Sequence, residues 1–200
     1  PHLLPWPQKV AWNGKKFQYR GTFVSLTENF CSIGMEQPAG NKITGNPSSH
    51  PALSVKWMED FPDIPLNRNE AYKLRVTSKG VEIEAITETG VYRAIQTLRQ
   101  LTEKKGNGIA ITGWPAFRIR GFMQDVGRTY ISTDELKREI AILARYKINV
   151  FHWHLTENQA WRLQSKVFPM LNDSVNTTRQ PGKYYTLEEA RELAAFCKQH

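Results

Sequence analysis

Long apolar runs are missing from this chain: nowhere do its 200 residues approach the roughly 18 consecutive apolar residues of a membrane-spanning helix. Pro1-His-Leu-Leu-Pro-Trp6 lacks the charged start and extended apolar core of a signal peptide. Cysteine is scarce. Cys31 and Cys197 lie far apart with no metal-type spacing, so two buried or half-buried thiols are expected, with a bridge between them left open. Clustered basic charge is also missing. Lys and Arg outnumber Asp and Glu by 27 to 19, a formal +8, yet the only short pairs of note, Lys15-Lys16 and Lys104-Lys105, adjoin glycines as turns do. That distribution is a solvated surface rather than a nucleic-acid footprint, with some room for attraction to acidic glycans. What is present, 40% hydrophobic and 11% aromatic residues, belongs to an ordinary folded protein of one or two domains.

Two short strands, Lys9–Trp12 and Lys16–Tyr19, flank Asn13-Gly14 and predict an opening hairpin. From Gly21 to Asn69 the prolines and a Gly/Asn/Ser-rich piece predict irregular connections around one or two strands, with Ala52–Met58 the clear apolar run. Ala71–Thr77 and Val81–Ile86 alternate apolar and polar around Ser78-Lys79-Gly80, a second hairpin with one buried face. Gly90 opens an amphipathic helix: Val91, Ile95, Leu98 and Leu101 recur at helical spacing, while Arg93, Gln96 and Arg99 fall elsewhere. Gly106-Asn-Gly108 stops it, and Gly108–Thr112 is a strand able to rejoin the sheet. Residues 1–115 therefore read as a small α+β domain, with the boundary near Gly113-Trp-Pro-Ala-Phe117.

The pattern then becomes strand, helix, strand, helix. Ile119–Asp125 is a strand, Ser132-Thr-Asp-Glu135 is a capping box, and Leu136, Ile140, Leu143 and Ala144 form the buried stripe of a helix reaching about Lys147. Val150–Leu155 is the next strand. Thr186-Leu-Glu-Glu189 is a second capping box, with Leu187, Ala190, Leu193, Ala194 and Cys197 on the apolar face that follows. Two such units are too few to close a parallel barrel, which takes about 250 residues, so the chain is expected to be cut.

In parallel sheets the loops leaving the carboxyl ends of the strands build the ligand site. Arg128 follows the first strand past Gly127, and its planar fork suits hydroxyls or a carboxylate; a surface ion pair fits as well. Asp125, at the strand end, is either a structural carboxylate that orients Arg128 or a ligand in its own right. His152 and His154 point to one side of their strand, Phe151, Trp153 and Leu155 to the other. Such a pair permits zinc and a metal-dependent hydrolase, but a site needs a third ligand and the other histidines are remote; hydrogen-bonded interior histidines are the plainer reading. Glu157, Asn158 and Gln159, followed by Trp161 and Arg162, have the composition of a sugar site, or of a polar turn pinned by a tryptophan.

Gly121-Phe-Met-Gln-Asp-Val-Gly-Arg128 and Phe151-His-Trp-His-Leu-Thr-Glu-Asn-Gln-Ala-Trp-Arg162 resemble the first two strand-end motifs of glycoside hydrolase family 20, the exo-acting β-N-acetylhexosaminidases. Leu4-Pro-Trp-Pro7, Gly90–Leu101 and Trp114–Gly121 resemble the same family's accessory-domain entry, its helix and the crossing to its barrel. The resemblance implies a (β/α)8 barrel behind the α+β domain, no cofactor or metal, and substrate-assisted retaining hydrolysis of terminal β-linked N-acetylhexosamine. Arg128 matches the arginine that grips sugar hydroxyls, and Glu157 an acidic position that supports the catalytic acid and binds substrate. Asp125, His152, His154, Asn158 and Trp161 fall around them as second-layer candidates.

Two departures stand out. Glu157-Asn158 replaces a frequent pair of aspartates, and the family's His-x-Gly-x-Asp-Glu pattern, which carries the acid and its orienting partner, occurs nowhere here. The expectation is the amino-terminal part of an exported hexosaminidase: the accessory domain, 1–115, and the first two βα units of a barrel, 116–200. By itself the chain should be inactive, and its incomplete barrel prone to self-association. A non-catalytic glycan- or protein-binding module is the alternative.

Overall fold

The computed structural model describes residues 3–17, 52–77, 80–102 and 106–200. The chain forms two units, Pro1–Arg118 and Ile119–His200.

Alternation builds the first unit. Strands β3 (Tyr72–Thr77) and β4 (Gly80–Ala85) bury alternate residues and pair antiparallel from Tyr72↔Ala85 to Thr77↔Gly80. The predicted second hairpin is therefore present; Ser78 and Lys79 lie outside the described residues. Strand β5 (Gly106–Gly113) inserts between β3 and β1 (Lys9–Phe17), while β2 (Ala52–Trp57) runs parallel to β4 at the far edge, giving the order β1-β5-β3-β4-β2.

The opening hairpin predicted at Asn13-Gly14 is not formed. Residues 9–17 are one strand along β5, whose register steps from Trp12↔Ile109 to Lys16↔Asn107. Asn-Gly absorbs an irregularity in a continuous ladder instead of reversing the chain, because β5 offers a partner on both sides of it. Gln18 and Tyr19, the end of the expected second strand, lie outside the described residues.

Helix α1 (Glu88–Thr102) starts before Gly90. Thr87 caps it: its hydroxyl accepts from the Gly90 amide at 3.2 Å and its carbonyl from Val91 at 3.2 Å. Gly90 serves close packing, since a Cβ there would sit 2.5 Å from the Ala71 carbonyl oxygen. Val91, Ala94, Ile95 and Leu98 pack with Leu74, Val76, Val81, Ile83, Ile109 and Ile111 as one core, each large aliphatic side chain contributing about 1.5–3 kcal/mol. Two polar residues expected away from the buried stripe are buried nonetheless. Arg93 pairs with Glu70 at 2.9 Å, and Gln96 takes a bond from Arg99.

In the second unit, β6 (Gly121–Asp125) and β7 (Val150–His154) pair in parallel, from Gly121↔Val150 to Asp125↔His154. Helix α2 (Thr133–Arg145) follows the first and α3 (Leu187–Gln199) comes after the second, each opened by a complete capping box, at Ser132/Glu135 and Thr186/Glu189. The helix expected to reach Lys147 ends at Arg145, because Lys147 takes φ 65°, a left-handed conformation that closes a helix. Leu136, Ile140, Leu193, Tyr185 and Val126 form the core, with Phe151, Trp153 and Leu155 packed on it. Of the predicted apolar face of α3, Leu193 is buried and Cys197 half-buried, its thiol pKa pushed up by burial, but Ala194 is exposed. Cys31 lies outside the described residues.

Between β7 and α3 the chain makes a small hairpin, β8 (Thr156–Glu157) with β9 (Ala160–Trp161), two 3-10 turns, and a parallel bridge from Leu163 to Tyr185. Among the described residues no helix is long and apolar enough to cross a membrane.

Tyr72 is fully buried, its hydroxyl 2.6 Å from Thr97 and its pKa pushed up to about 12 by that burial. A Cβ at Gly113 would lie 2.5 Å from this ring. Gly113→Ala is therefore expected to lower unfolding free energy by about 1–3 kcal/mol, whereas Gly121→Ala, whose nearest neighbour would be 3.9 Å away, should be nearly neutral. Equal urea midpoints for the two variants would contradict this packing.

Candidate active site at the strand ends

Parallel pairing puts Asp125 beside His154 at the carboxyl ends of β6 and β7. Because side chains alternate, Asp125, Met123, His152 and His154 leave one face while Phe151 and Trp153 pack into the helix-covered core on the other. The amides of Val126 and Gly127 both donate to the His154 carbonyl, at 3.0 and 3.1 Å, carrying the pairing past the strand end. Gly127 leaves little room for a side chain: a Cβ there would lie 3.1 Å from Cβ and 3.2 Å from Cγ of Glu157, so that Glu157 would have to shift by a few tenths of an ångström. The chain can then double back, and the Arg128 amide donates to Asp125 Oδ1 at 3.1 Å.

The guanidinium of Arg128 binds two carboxylates. One terminal nitrogen donates to Asp125 Oδ2 and the other to Glu157 Oε1 at 2.7 Å. Half of the Arg128 side chain remains exposed (50%), and a guanidinium carries five N–H donors, more than these two carboxylate bonds engage. Burial alone would raise the Asp125 pKa, but the amide and guanidinium of Arg128, with His154, hold it below the ordinary aspartate value. A depressed carboxylate pKa makes this contribution to stability present above the unfolded-state value and lost as pH falls through the folded-state one. The pair thus persists through mildly acidic conditions.

His154 lies between the same carboxylates, Nδ1 3.4 Å from Asp125 Oδ1 and Nε2 3.8 Å from Glu157 Oε1. Nδ1 is buried and makes no hydrogen bond among the described residues. His152 is exposed, its ring 6.2 Å from that of His154. The carboxylates that a metal would share with these histidines are held by Arg128, and among the described residues no group of three or more His, Cys, Asp or Glu is placed to hold a metal ion.

The remaining candidates separate. Exposed Asn158 turns its amide back to Glu157 Oε2 at 3.3 Å. Gln159 sends its carbonyl to the Thr178 amide at 2.9 Å and buries a side-chain oxygen that has no partner among the described residues. Trp161 pairs with Thr156, and Ala160 with Glu157, so Glu157 and Trp161 leave opposite faces of the hairpin.

Arg162, which sequence composition groups with sugar-binding residues, is fully enclosed and donates only to backbone carbonyls: Nε to Val126 at 3.1 Å, one terminal nitrogen to Gln180 and Lys183 at 3.1 and 2.7 Å, the other to Arg179 at 2.7 Å. Burial lowers its pKa. Two contributors escaped sequence reading. Gln180 accepts from the Tyr130 amide at 2.5 Å, and the Tyr185 hydroxyl donates to the Ile131 carbonyl at 2.5 Å. Gln-Pro-Gly at 180–182 signals a turn in sequence, but only the fold shows what that turn holds.

The family model for glycosyl hydrolase family 20, domain 2, matches residues 1–120, and that for the family's catalytic domain matches 117–200. A beta-hexosaminidase of Porphyromonas gingivalis is 38% identical over 179 residues, covering 80% of this chain and 21% of the relative. Among solved structures, Flavobacterium johnsoniae chitobiase superposes with a TM-score of 0.72 at 28% identity, covering 98% of this chain and 33% of that one. An exo beta-N-acetylglucosaminidase from Vibrio harveyi, solved with N-acetylglucosamine, gives 0.69 at 26% identity, covering 98% and 34%. The chain thus spans about a fifth to a third of the length of these relatives, and it belongs to glycosyl hydrolase family 20, carrying that family's domain 2 and the start of its catalytic domain.

Proposed function

We propose that the protein carrying this chain is an exo-acting β-N-acetylhexosaminidase, that residues 119–200 begin its (β/α)8 barrel, and that Arg128 grips hydroxyls of the terminal sugar. The observation that carries the reading is the Arg128 fork: a half-exposed guanidinium held by Asp125 at the end of β6 and by Glu157 just past the end of β7, in a chain of this family. A guanidinium fixed on one side by carboxylates presents its other donors in a set direction, as recognition of paired hydroxyls requires.

In this reading hydrolysis is substrate-assisted and retaining. An acid glutamate protonates the leaving oxygen, the sugar's 2-acetamido oxygen attacks the anomeric carbon, and an aspartate orients that amide. Both acidic residues belong to a motif this sequence lacks, so the chain supplies grip and support, Glu157 being the supporting carboxylate. Terminal hexosamines occur on exported and cell-surface glycans, and the enzyme is assigned to an exported compartment.

In the complete protein, Arg128→Ala is expected to lower kcat/KM on a p-nitrophenyl N-acetylhexosaminide by about 10²- to 10³-fold, the loss of two charge-assisted bonds to substrate. Unchanged kinetics would refute the assigned grip. The 200-residue chain alone is expected to show no turnover above a mock purification; sustained hydrolysis by it would overturn the division of labour, and specific sugar binding without hydrolysis in the complete protein would favour a non-catalytic module. The chain alone also exposes Ile119, Met123, Ile142 and Val150, and is expected to self-associate. A monomer mass independent of dilution, read by light scattering, would count against this.

A further inference from the structure

We propose that Arg162 is a positioning residue for Arg128, acting on both sides of the loop that carries it. This rests on the grip assigned to Arg128 above. A fully buried arginine carries a charge whose desolvation is unfavourable, and among the described residues no carboxylate pairs with Arg162. Its four side-chain bonds all end on carbonyls of two loops, Val126 in one and Arg179, Gln180 and Lys183 in the other. A planar guanidinium meets this arrangement because its donors leave in fixed, diverging directions.

The two loops bracket Arg128. On its amino-terminal side, the Val126 carbonyl is held by Arg162 directly. On its carboxyl-terminal side, the Tyr130 amide is held at 2.5 Å by the Gln180 side chain, and the Gln180 carbonyl is itself held by Arg162 at 3.1 Å. Gln180 takes φ 52°, a left-handed conformation disfavoured for a residue with a Cβ, and it is held there by bonds at both its carbonyl and its side chain. The Arg162 backbone adds a third tie: its carbonyl accepts from the Tyr185 amide at 2.7 Å, and the Tyr185 hydroxyl binds the Ile131 carbonyl at 2.5 Å. Arg162 reaches no exposed surface, so it meets no substrate; its effect passes through where the Arg128 fork stands.

The test is a double-mutant cycle in the complete protein. Arg162→Lys keeps the charge but cannot serve carbonyls in diverging directions, and is expected to lower kcat/KM by about 10²-fold, as displacement of a binding group by an ångström can. Added to Arg128→Ala, it should lower activity no further than about twofold, because the two act as one unit. Gln180→Ala, at an exposed position that leaves the core untouched, is expected to give a smaller loss that likewise vanishes in the Arg128→Ala background. Hydrogen exchange at the Gly127 and Arg128 amides should quicken in both variants. Multiplying losses, or unchanged exchange at those amides, would overturn the proposal and leave Arg162 a purely structural residue. Failure of the underlying reading looks different: there Arg128→Ala itself changes nothing.

Discussion

One guanidinium joins Asp125, at the end of β6, to Glu157, 29 residues beyond the arginine itself. The Arg128 fork depends on β6 and β7 pairing in parallel with Asp125 opposite His154, and on the close approach of Glu157 to Gly127, where a Cβ would sit 3.1 Å from that of Glu157. Two carboxylates share one cation, and half of the Arg128 side chain stays exposed beside them. The geometry is that of a preorganised donor set, in which the order is established at folding rather than at binding.

That order has a hierarchy. The helices bury Phe151, Trp153 and Leu155, which fixes the face from which the histidines and Asp125 emerge. Tyr185 stacks on Tyr130 at 4.8 Å and meets Trp153 edge-on at 4.6 Å, so the core of the second unit continues to within two residues of Arg128. Behind the loops sits Arg162, a charge with no carboxylate partner among the described residues, whose bonds to backbone carbonyls replace water. An aliphatic side chain in its place would leave the carbonyls of Val126, Arg179 and Lys183 without donors and that of Gln180 with the Lys183 amide alone, each orphaned carbonyl a cost of about 1–3 kcal/mol where water cannot reach it.

Much of this was legible in sequence where the signal is local. The capping boxes at Ser132 and Thr186 name their own partners within one turn, and the alternation of Phe151, Trp153 and Leu155 against His152 and His154 assigned the two faces of β7. Asp125 was open in sequence between orienting Arg128 and binding a ligand itself; the structure puts it against the Arg128 amide and guanidinium. Where the answer depends on distant chain, sequence reading failed. Asn13-Gly14 became a ladder irregularity because β5 offered a continuous partner. Arg93 entered the buried set because Glu70, far off in sequence, meets it. Arg162 sits among residues suited to sugars but turns inward to carbonyls up to 36 residues away, and Trp161, its neighbour, leaves the hairpin on the face opposite Glu157.

The measurement that tests the account most directly is a structure of the complete protein with N-acetylglucosamine bound. Hydroxyls of the sugar are expected within hydrogen-bonding distance of the Arg128 guanidinium while that group still holds Asp125, with Arg162 unmoved on the Val126 carbonyl. A sugar bound away from Arg128, or a fork that opens to release Asp125, would contradict it.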